Sequence, residues 1–514
     1  MKPLAAPRIA VIIVFLLFVT FTCWQAVKYR PFIIDDAYIT FRYAQNLSNG
    51  AGLAFNGNEQ VEGYSNFLLV LLLALGLKVG IKAPLLAQVI GMASLLGLLA
   101  LLFAETERQT GVGWGVLIAP FLLASSVAIS YWAVAGLETL LYTFLLTAAV
   151  IVASRCLDFV CSPWLLWLIL AFLVLCRTEG AAPAGLIGAY YTFKMLPEEK
   201  RGTNGLFDWF KALLPIIIVI ALYHGFRVAW FGSFQSAPAA AKFRGSIFPL
   251  TEGLRYLTTF FVEYVPSLLV LFVGYSLLQS TSLTFPLLIV LCFQLLIVLY
   301  LGGDWMPMYR MFVPLLPLLF LEAGRGMRLL CRKVELLRPI VFLALLVAAT
   351  RLAFFPVAQY VNITQCKMLD GLFVEVSKHL KKNYPQGTRI VLGDIGRIGY
   401  ETGFEIYDMK GLVSPWISKT YKRVKEANHY RVSIDSETIL QRRPELVLVA
   451  VNRRSRDGMV DDGVHRGFWS CDTDMLKSST LHRGWKVVAR MGDGNTIGCT
   501  YLLFERKDLW SKKP

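Results

Sequence analysis

Two adjacent carboxylates, Asp35 and Asp36, open the polar segment PFIIDDAYITFRYAQNLSNGAGLAFNGNEQVEGYSNF, directly after an apolar run. Ala37 to Ser48 reads as a helix, and Asn49-Gly50 is the signal that ends it. At helical spacing Asp35, Tyr38 and Arg42 share one face, and Glu62 stands near the far end of the segment. The helix dipole favours the ionised form of a carboxylate at a helix start. An ionised carboxylate suits general-base work on a hydroxyl. A single Asp in this position is more often a satisfied helix cap. A doublet in a loop rich in Tyr, Asn and Glu points instead to a site.

Further charged residues interrupt apolar runs: Glu138 in VAGLETLLY, Arg177 and Glu179 in LCRTEGAAP, Lys242 and Arg244 in APAAAKFRGS, and Asp304 and Arg310 in YLGGDWMPMYRMFVPLLP. Charges at span ends often snorkel to the interface. Arg177 and Glu179 resist that account, because the runs on either side are short for spans. The RTEG turn is therefore expected below the membrane surface, lining a cavity, where ionisable groups are functional by default. Arg binds phosphate by paired hydrogen bonds and Lys as a point charge. Carboxylates beside such cations suggest a lipid-phosphate substrate and an acceptor bearing a hydroxyl.

These residues need a membrane scaffold, and the composition supplies one. The chain has 514 residues, 56% hydrophobic and 17% charged, with a mean hydropathy of +0.56. That excludes a disordered chain, a simple soluble enzyme and a single-anchor protein. Eleven apolar runs read as spans: Ile9–Val27, Pro84–Ala104, Val112–Ala133, Leu137–Ala153, Trp164–Cys176, Gly180–Phe193, Ala212–Phe231, Val265–Leu278, Phe285–Leu301, Met308–Ala323 and Pro339–Phe355. Lys/Arg clusters at Lys194–Arg201 and Arg325–Arg338 mark the cytoplasmic face. Counting from them puts residues 28–63 outside as a first outer loop. Residues 64–80 then become a juxtamembrane helix, and the C-terminal part lies on the extracytoplasmic side. Residues 1–356 are read as the membrane domain and 357–514 as a soluble α/β domain.

The net charge is +16, from 51 Lys+Arg against 35 Asp+Glu. It is spread over loops and the C-terminal domain, which fits topology and anionic lipid rather than nucleic acid. In the C-terminal domain, Arg389–Leu392 and Leu446–Val451 read as buried strands, with helices at Leu369–Lys382 and near Ser436–Leu440. IGRIGYETG lacks the GxGxxG pattern and the P-loop lysine, so its glycines are read as tight turns. The nine cysteines show no CxxC or Cys/His ligand spacing. Cys366, Cys471 and Cys499 would face an oxidising space, and Cys471–Cys499 is the pair considered for a disulfide.

The run IDDAYITFRYAQNLSNGAGLAFNGNEQVEGYSNFLL resembles the first outer loop of integral-membrane glycosyltransferases of the C-type fold. It looks most like bacterial relatives of the mycobacterial terminal arabinofuranosyltransferase, and more distantly like the lipid A aminoarabinose transferase and protein mannosyltransferases. AGLET, CRTEG, APAAAKF, GGDWMPMYR with FVPLLPLL, and GDIGRIGYETGFEIYDMKGLVSP follow in family order, so the resemblance covers roughly residues 8–420. Thr178 stands where relatives usually have Pro. The Asn usual before the Ala-Lys segment is absent around Ser236–Ala239, so the likeness does not extend to the donor sugar. The resemblance implies a polyprenyl-phosphate sugar donor and, in bacteria, an inner-membrane enzyme of cell-envelope biogenesis. The acceptor would be an envelope glycan or glycolipid such as lipopolysaccharide, with inversion at the anomeric carbon. It implies Asp35 or Asp36 as the base and Arg177, Lys242 and Arg310 at the donor phosphate. Tyr38, Arg42, Glu62, Glu138, Glu179 and Asp304 would meet substrate. No cofactor is required on this reading, and a weakly bound divalent cation is allowed for. The competing function is a transporter or flippase of a lipid-linked sugar, which tends to show internal repeats; the sequence shows none. A scaffold that only senses envelope polymer leaves the converging polar residues without a purpose.

Overall fold

The computed structural model describes residues 8–57, 59–111, 113–200, 205–238, 249–354, 357–419, 422–426, 429–452, 470–492 and 499–510. The N-terminal part is a helix bundle. Its first ten helices are α1 (Arg8–Tyr29), α2 (Asp35–Ser48), α3 (Phe67–Lys78), α4 (Ala83–Thr110), α5 (Ile118–Ser125), α6 (Val127–Trp132), α7 (Thr139–Leu157), α8 (Pro163–Cys176), α9 (Ala181–Met195) and α10 (Leu206–Phe231). Helices at Pro249–Thr259, Ser267–Leu277, Thr284–Leu301, Leu316–Lys333, Arg338–Phe354 and Val357–Asn383 follow.

Eleven apolar runs read as spans in the sequence. Among the described residues six helices are long and apolar enough to cross a membrane, or seven if the pair Leu250–Tyr264 and Leu269–Leu277, bent by 106°, counts as one. The other apolar runs fold as shorter or broken helices. The run around Val112–Ala133 breaks at Ser126, whose backbone is extended. The helices on either side of the RTEG turn, α8 and α9, have 14 and 15 residues. Helix Leu316–Lys333 carries Glu322, Arg325, Arg328, Arg332 and Lys333 among its apolar residues. Apolar composition marks burial in lipid or core, but not where the backbone bends. Helix α3, at 12 residues, is about 18 Å long and too short to cross a hydrocarbon layer of about 30 Å.

The C-terminal part holds a five-stranded sheet in the order β2-β1-β5-β7-β6, formed by β1 (Arg389–Leu392), β2 (Glu405–Asp408), β5 (Leu446–Asn452), β6 (Trp485–Met491) and β7 (Cys499–Arg506), beside a two-stranded sheet of β3 (Lys422–Glu426) and β4 (His429–Ser433). Strands β2, β1 and β5 run parallel, β7 pairs antiparallel with β5, and β6 with β7. The β5 side chains alternate between two cores, as the strand period of two requires. Leu446, Leu448 and Ala450 join the core that continues into the bundle, and Val447, Val449 and Val451 join a separate core on the other face. The first core also includes Ile395, Ile398, Phe404 and Ile406 of the sheet domain with Phe41, Tyr43 and Phe55 of the bundle. The outer-loop helix α2 is thus packed against both the sheet domain and the bundle.

The expected β1 is found as read, and β5 runs one residue further. Strands β6 and β7 carried no clear alternation in sequence. Cys471 and Cys499, the pair considered for a disulfide, are both buried free thiols. Strand alternation and compartment gave no geometric test for that pairing.

Candidate functional site

Asp35 and Asp36 are the first two residues of α2, and neither caps it: the N-cap is Ile34, with no side-chain bond. The Asp35 carboxylate reaches across to the sheet domain instead. Its two oxygens accept the backbone N–H groups of Gly396 (3.0 Å) and Arg397 (2.8 Å), at the start of the helix Gly396–Thr402. A side chain on Gly396 would press on the Asp35 carboxyl carbon, 2.7 Å from a Cβ placed there. Glycine is what lets the two segments close. Tyr38 meets the Arg397 guanidinium by a hydrogen bond and by ring stacking at 4.5 Å. Arg42 donates to the carbonyls of Gly399 (2.8 Å), Phe404 (2.7 Å) and Phe55 (2.8 Å). The face shared by Asp35, Tyr38 and Arg42 is therefore the domain junction.

Arg42, expected at the substrate, is 6% exposed and spends its hydrogen bonds on the protein's own backbone. It ties the two domains together. Arg42→Met is expected to destabilise the junction by about 3 kcal/mol, because the buried carbonyls lose charged donors. Thermal unfolding in detergent should show a lower Tm, and trypsin should cut faster near residue 389. An unchanged Tm would show that water replaces the guanidinium without cost.

The sheet domain adds residues that the motif reading did not single out. Asp394 follows β1, and Lys410 follows β2, both at the carboxyl ends of parallel strands. Lys410 Nζ donates to Asp394 at 2.9 Å, and the Tyr501 hydroxyl donates to the other Asp394 oxygen. Arg397 also pairs with Asp370 (2.7 Å) and Glu401 (3.0 Å). The carboxyl ends of parallel strands are where α/β sheets place ligands, and GDIGRIGYETG directly after β1 was the signal that could have found them. The junction collects Asp35, Asp36, Asp370, Asp394 and Glu401 against Arg42, Lys410 and Arg397, so carboxylates outnumber cations there. Burial, followed by repulsion from Asp394 and Asp36, pushes the Asp35 carboxyl up to about 7, against the opposing hydrogen bonds from Arg397 and Gly396. Burial alone would lower the Lys410 ammonium, but the fields of Asp394, Cys471 and Asp36 leave it raised. Among the described residues no group of three or more His, Cys, Asp or Glu side chains is arranged to hold a metal ion.

A second cluster runs from α2 into the bundle. Thr40 Oγ1 donates to Asn66 (3.2 Å), and Asn66 Nδ2 donates to Glu138 (2.7 Å). Glu138, just before α7, is 3% exposed and ion-paired with Arg177. Arg177 also pairs with Glu179 at 2.6 Å. The short α8 and α9 set this RTEG turn within the helix bundle, and Arg177 is 14% exposed. Glu62 pairs with fully buried Arg227 at 2.7 Å. Buried and without a hydrogen-bond partner in this region are the hydroxyls of Tyr64, Thr139, Tyr142, Thr178, Tyr223 and Ser236. Buried polar groups are normally satisfied, so these orphaned hydroxyls mark places that receive water or a polar ligand.

The third cluster is Asp304 with Arg310, 11% exposed, joined by a hydrogen bond from Nε to Oδ2 (2.6 Å) and an ion-pair contact of Nη2 with the same oxygen (2.6 Å). Met308 and Tyr309 between them have φ of 57° and 48°, a left-handed turn that non-glycine residues rarely adopt. It sets Arg310 5.9 Å from the Trp132 ring, whose Nε1 is buried without a partner. Met308 N donates to Gln359 on the helix leading to the sheet domain. Lys242 and Arg244 lie outside the described residues. The chain approaches them beside Glu62, whose carbonyl accepts the Ala237 N–H at 3.0 Å.

Residues 359–507 match a family model described as a domain of unknown function, DUF8728. No curated protein sequence matches the chain. Among solved structures the chain is similar to the crystal structure of ArnT from Cupriavidus metallidurans in the apo state, with a TM-score of 0.53 and 11% identity over 96% of this chain and 97% of that one. It is likewise similar to ArnT from the same organism bound to undecaprenyl phosphate, with a TM-score of 0.51 and 11% identity over the same shares. At this identity the likeness is one of fold. The chain is a multi-pass membrane protein with the C-type glycosyltransferase fold and a C-terminal α/β domain.

Proposed function

We propose that this chain, a C-type membrane scaffold with a cluster of carboxylates at its domain junction, is a glycosyltransferase, moving a sugar from a polyprenyl-phosphate donor to a hydroxyl of an envelope glycan or glycolipid. The observation that carries this reading is Asp35, held at the junction against Gly396 and Arg397, where burial raises its carboxyl to about 7. A general base works best with a pKa near the operating pH. The fold likeness to a structure holding undecaprenyl phosphate supports a polyprenyl-phosphate donor.

In the proposed step Asp35 takes the proton of the acceptor hydroxyl, with Asp36 as the neighbouring candidate. The acceptor oxygen forms a bond to the anomeric carbon. The bond from that carbon to the donor phosphate oxygen breaks, and the polyprenyl phosphate leaves with the electron pair. One displacement inverts the anomeric centre. Arg177, Arg310 and Lys242 would hold the phosphate, and preorganised charge of this kind is often the largest catalytic contribution. Arg177 currently faces two carboxylates. Glu179 is 23% exposed and Glu138 is 2% exposed and tied to Asn66, so Glu179 is the partner that yields to a phosphate. The orphaned hydroxyls of Tyr64, Tyr142 and Tyr223 suit sugar hydroxyls. The extracytoplasmic inner-membrane location belongs to the same proposal.

The test is a transfer assay with purified protein in lipid nanodiscs, radiolabelled polyprenyl-phosphate sugars and an envelope-glycan acceptor. Label is expected in the acceptor, with kcat/KM rising with pH through about 7 as Asp35 ionises. Activity is expected to survive EDTA, since Arg and Lys can neutralise a monophosphate leaving group. If label only crosses the bilayer in proteoliposomes and never enters acceptor, the protein is a transporter.

A further inference from the structure

A cavity of about 450 Å³ lies at the other end of the bundle, lined among others by Arg108, Ser154, Ser282, Arg325, Arg328 and Arg332. Its position follows from the helices that reach it. Helix α7 begins beside Glu138 and ends beside the cavity residues Ser154 and Asp158, 19 residues or about 28 Å away. The helix Thr284–Leu301 starts next to the cavity residue Leu283 and ends near Asp304. The cavity and the proposed active site are therefore separated by about one hydrocarbon thickness.

The charges around the cavity do not balance. Glu105, fully buried, pairs with Arg108 (2.8 Å) and Arg155 (2.8 Å). Asp158 pairs with Arg108 at 3.4 Å, and Glu322 with Arg325 at 3.5 Å. Arg328 donates one Nη to the Gly115 carbonyl, and its other Nη is buried with no partner. Exposed Arg332 adds a fifth guanidinium. Five guanidiniums thus meet three carboxylates, an excess of two positive charges. Hydroxyls stand beside them: Arg325 donates to Thr281 Oγ1 (3.1 Å), and Ser154 and Ser282 are hydrogen-bonded to each other (2.7 Å). Span-end arginines that only snorkel would point into water. Here one is turned inward with an unused donor over a polar cavity. Guanidinium forks beside hydroxyls recognise phosphate oxygens.

We propose that this cavity binds a phosphate group, supplied by an anionic lipid headgroup or by a soluble phosphate compound, on the membrane face opposite the sheet domain. It is separate from the proposed donor site and does not depend on the catalytic reading. The Lys/Arg bias of this face matches a cytoplasmic leaflet, where anionic lipids concentrate.

The test uses the delipidated full-length protein in detergent, with phosphatidylglycerol, diacylglycerol and inorganic phosphate as probes. Thermal shift and native mass spectrometry are the readouts. Phosphatidylglycerol is expected to raise the Tm and remain bound, while diacylglycerol does neither. Arg328→Gln should weaken that binding by about tenfold. Arg332→Gln, at an exposed residue that the fold does not need, should weaken it several-fold without changing the unliganded Tm. Stabilisation by inorganic phosphate alone, lost in the same variants, would support the site and assign it a soluble ligand. If neither phosphate probe outperforms diacylglycerol, or both variants bind like the wild type, the proposal is overturned.

Discussion

Asp35→Asn is expected to lower sugar transfer by about 10²- to 10⁴-fold, the usual contribution of a general base. The substitution keeps size and shape but removes the proton acceptor. It also changes the junction, because an amide offers only one oxygen where the carboxylate offers two to the N–H groups of Gly396 and Arg397. Loss of rate alone would not separate a base from a clasp, and the pH profile does. A base predicts that the wild-type rise of kcat/KM through about pH 7 disappears in the variant. A clasp predicts a lower Tm and faster proteolysis with the pH profile kept. Asp36→Asn is the companion measurement. If Asp36 is the base, it loses the pH-dependent limb and Asp35→Asn retains it. If both variants turn over like the wild type, neither aspartate is the base.

Arg177→Ala is expected to cost about 10²- to 10³-fold in kcat/KM if the guanidinium stabilises the leaving phosphate. It should also destabilise the fold by about 3 kcal/mol, because removing one partner strands the other charge in the interior. Glu138 is that stranded charge, buried and left with Asn66 alone among its described hydrogen-bond donors. Arg177→Lys should restore much of the stability but little of the rate, since an ammonium cannot bridge two oxygens as the guanidinium fork does. Glu179→Gln sharpens the assignment. If Glu179 competes with the donor phosphate for Arg177, the donor KM falls. If Glu179 instead holds the sugar, the KM rises. An unchanged KM in both Arg177→Lys and Glu179→Gln would remove this cluster from the donor site.

The amino-acid sequence determined the class of the molecule, because solvent preference is written residue by residue. Long apolar runs can only be spans or buried core, and a charged C-terminal stretch with strand-like segments reads as an α/β unit. It also determined which residues to watch, because charges inside apolar runs are costly wherever they end up. The face uniting Asp35, Tyr38 and Arg42 was legible for the same local reason, the helical repeat. What that face looks toward was not legible. Its partners lie some 360 residues away at Gly396, Arg397 and Gly399, and local spacing carries no information about such contacts.

Only the tertiary structure decided that Arg42 ties two domains, that Glu62 is matched by Arg227, and that Arg177 stands between two carboxylates. Each is a pairing of opposite charges from distant segments, set by packing. The breaks within the apolar runs have a related cause. Hydropathy registers burial, but a break at Ser126 or a 106° bend before Leu269 is a backbone decision made by neighbouring helices. The pKa of Asp35 belongs to the tertiary structure as well. Its burial and the nearness of Asp394 exist only once the sheet domain has closed over the outer loop.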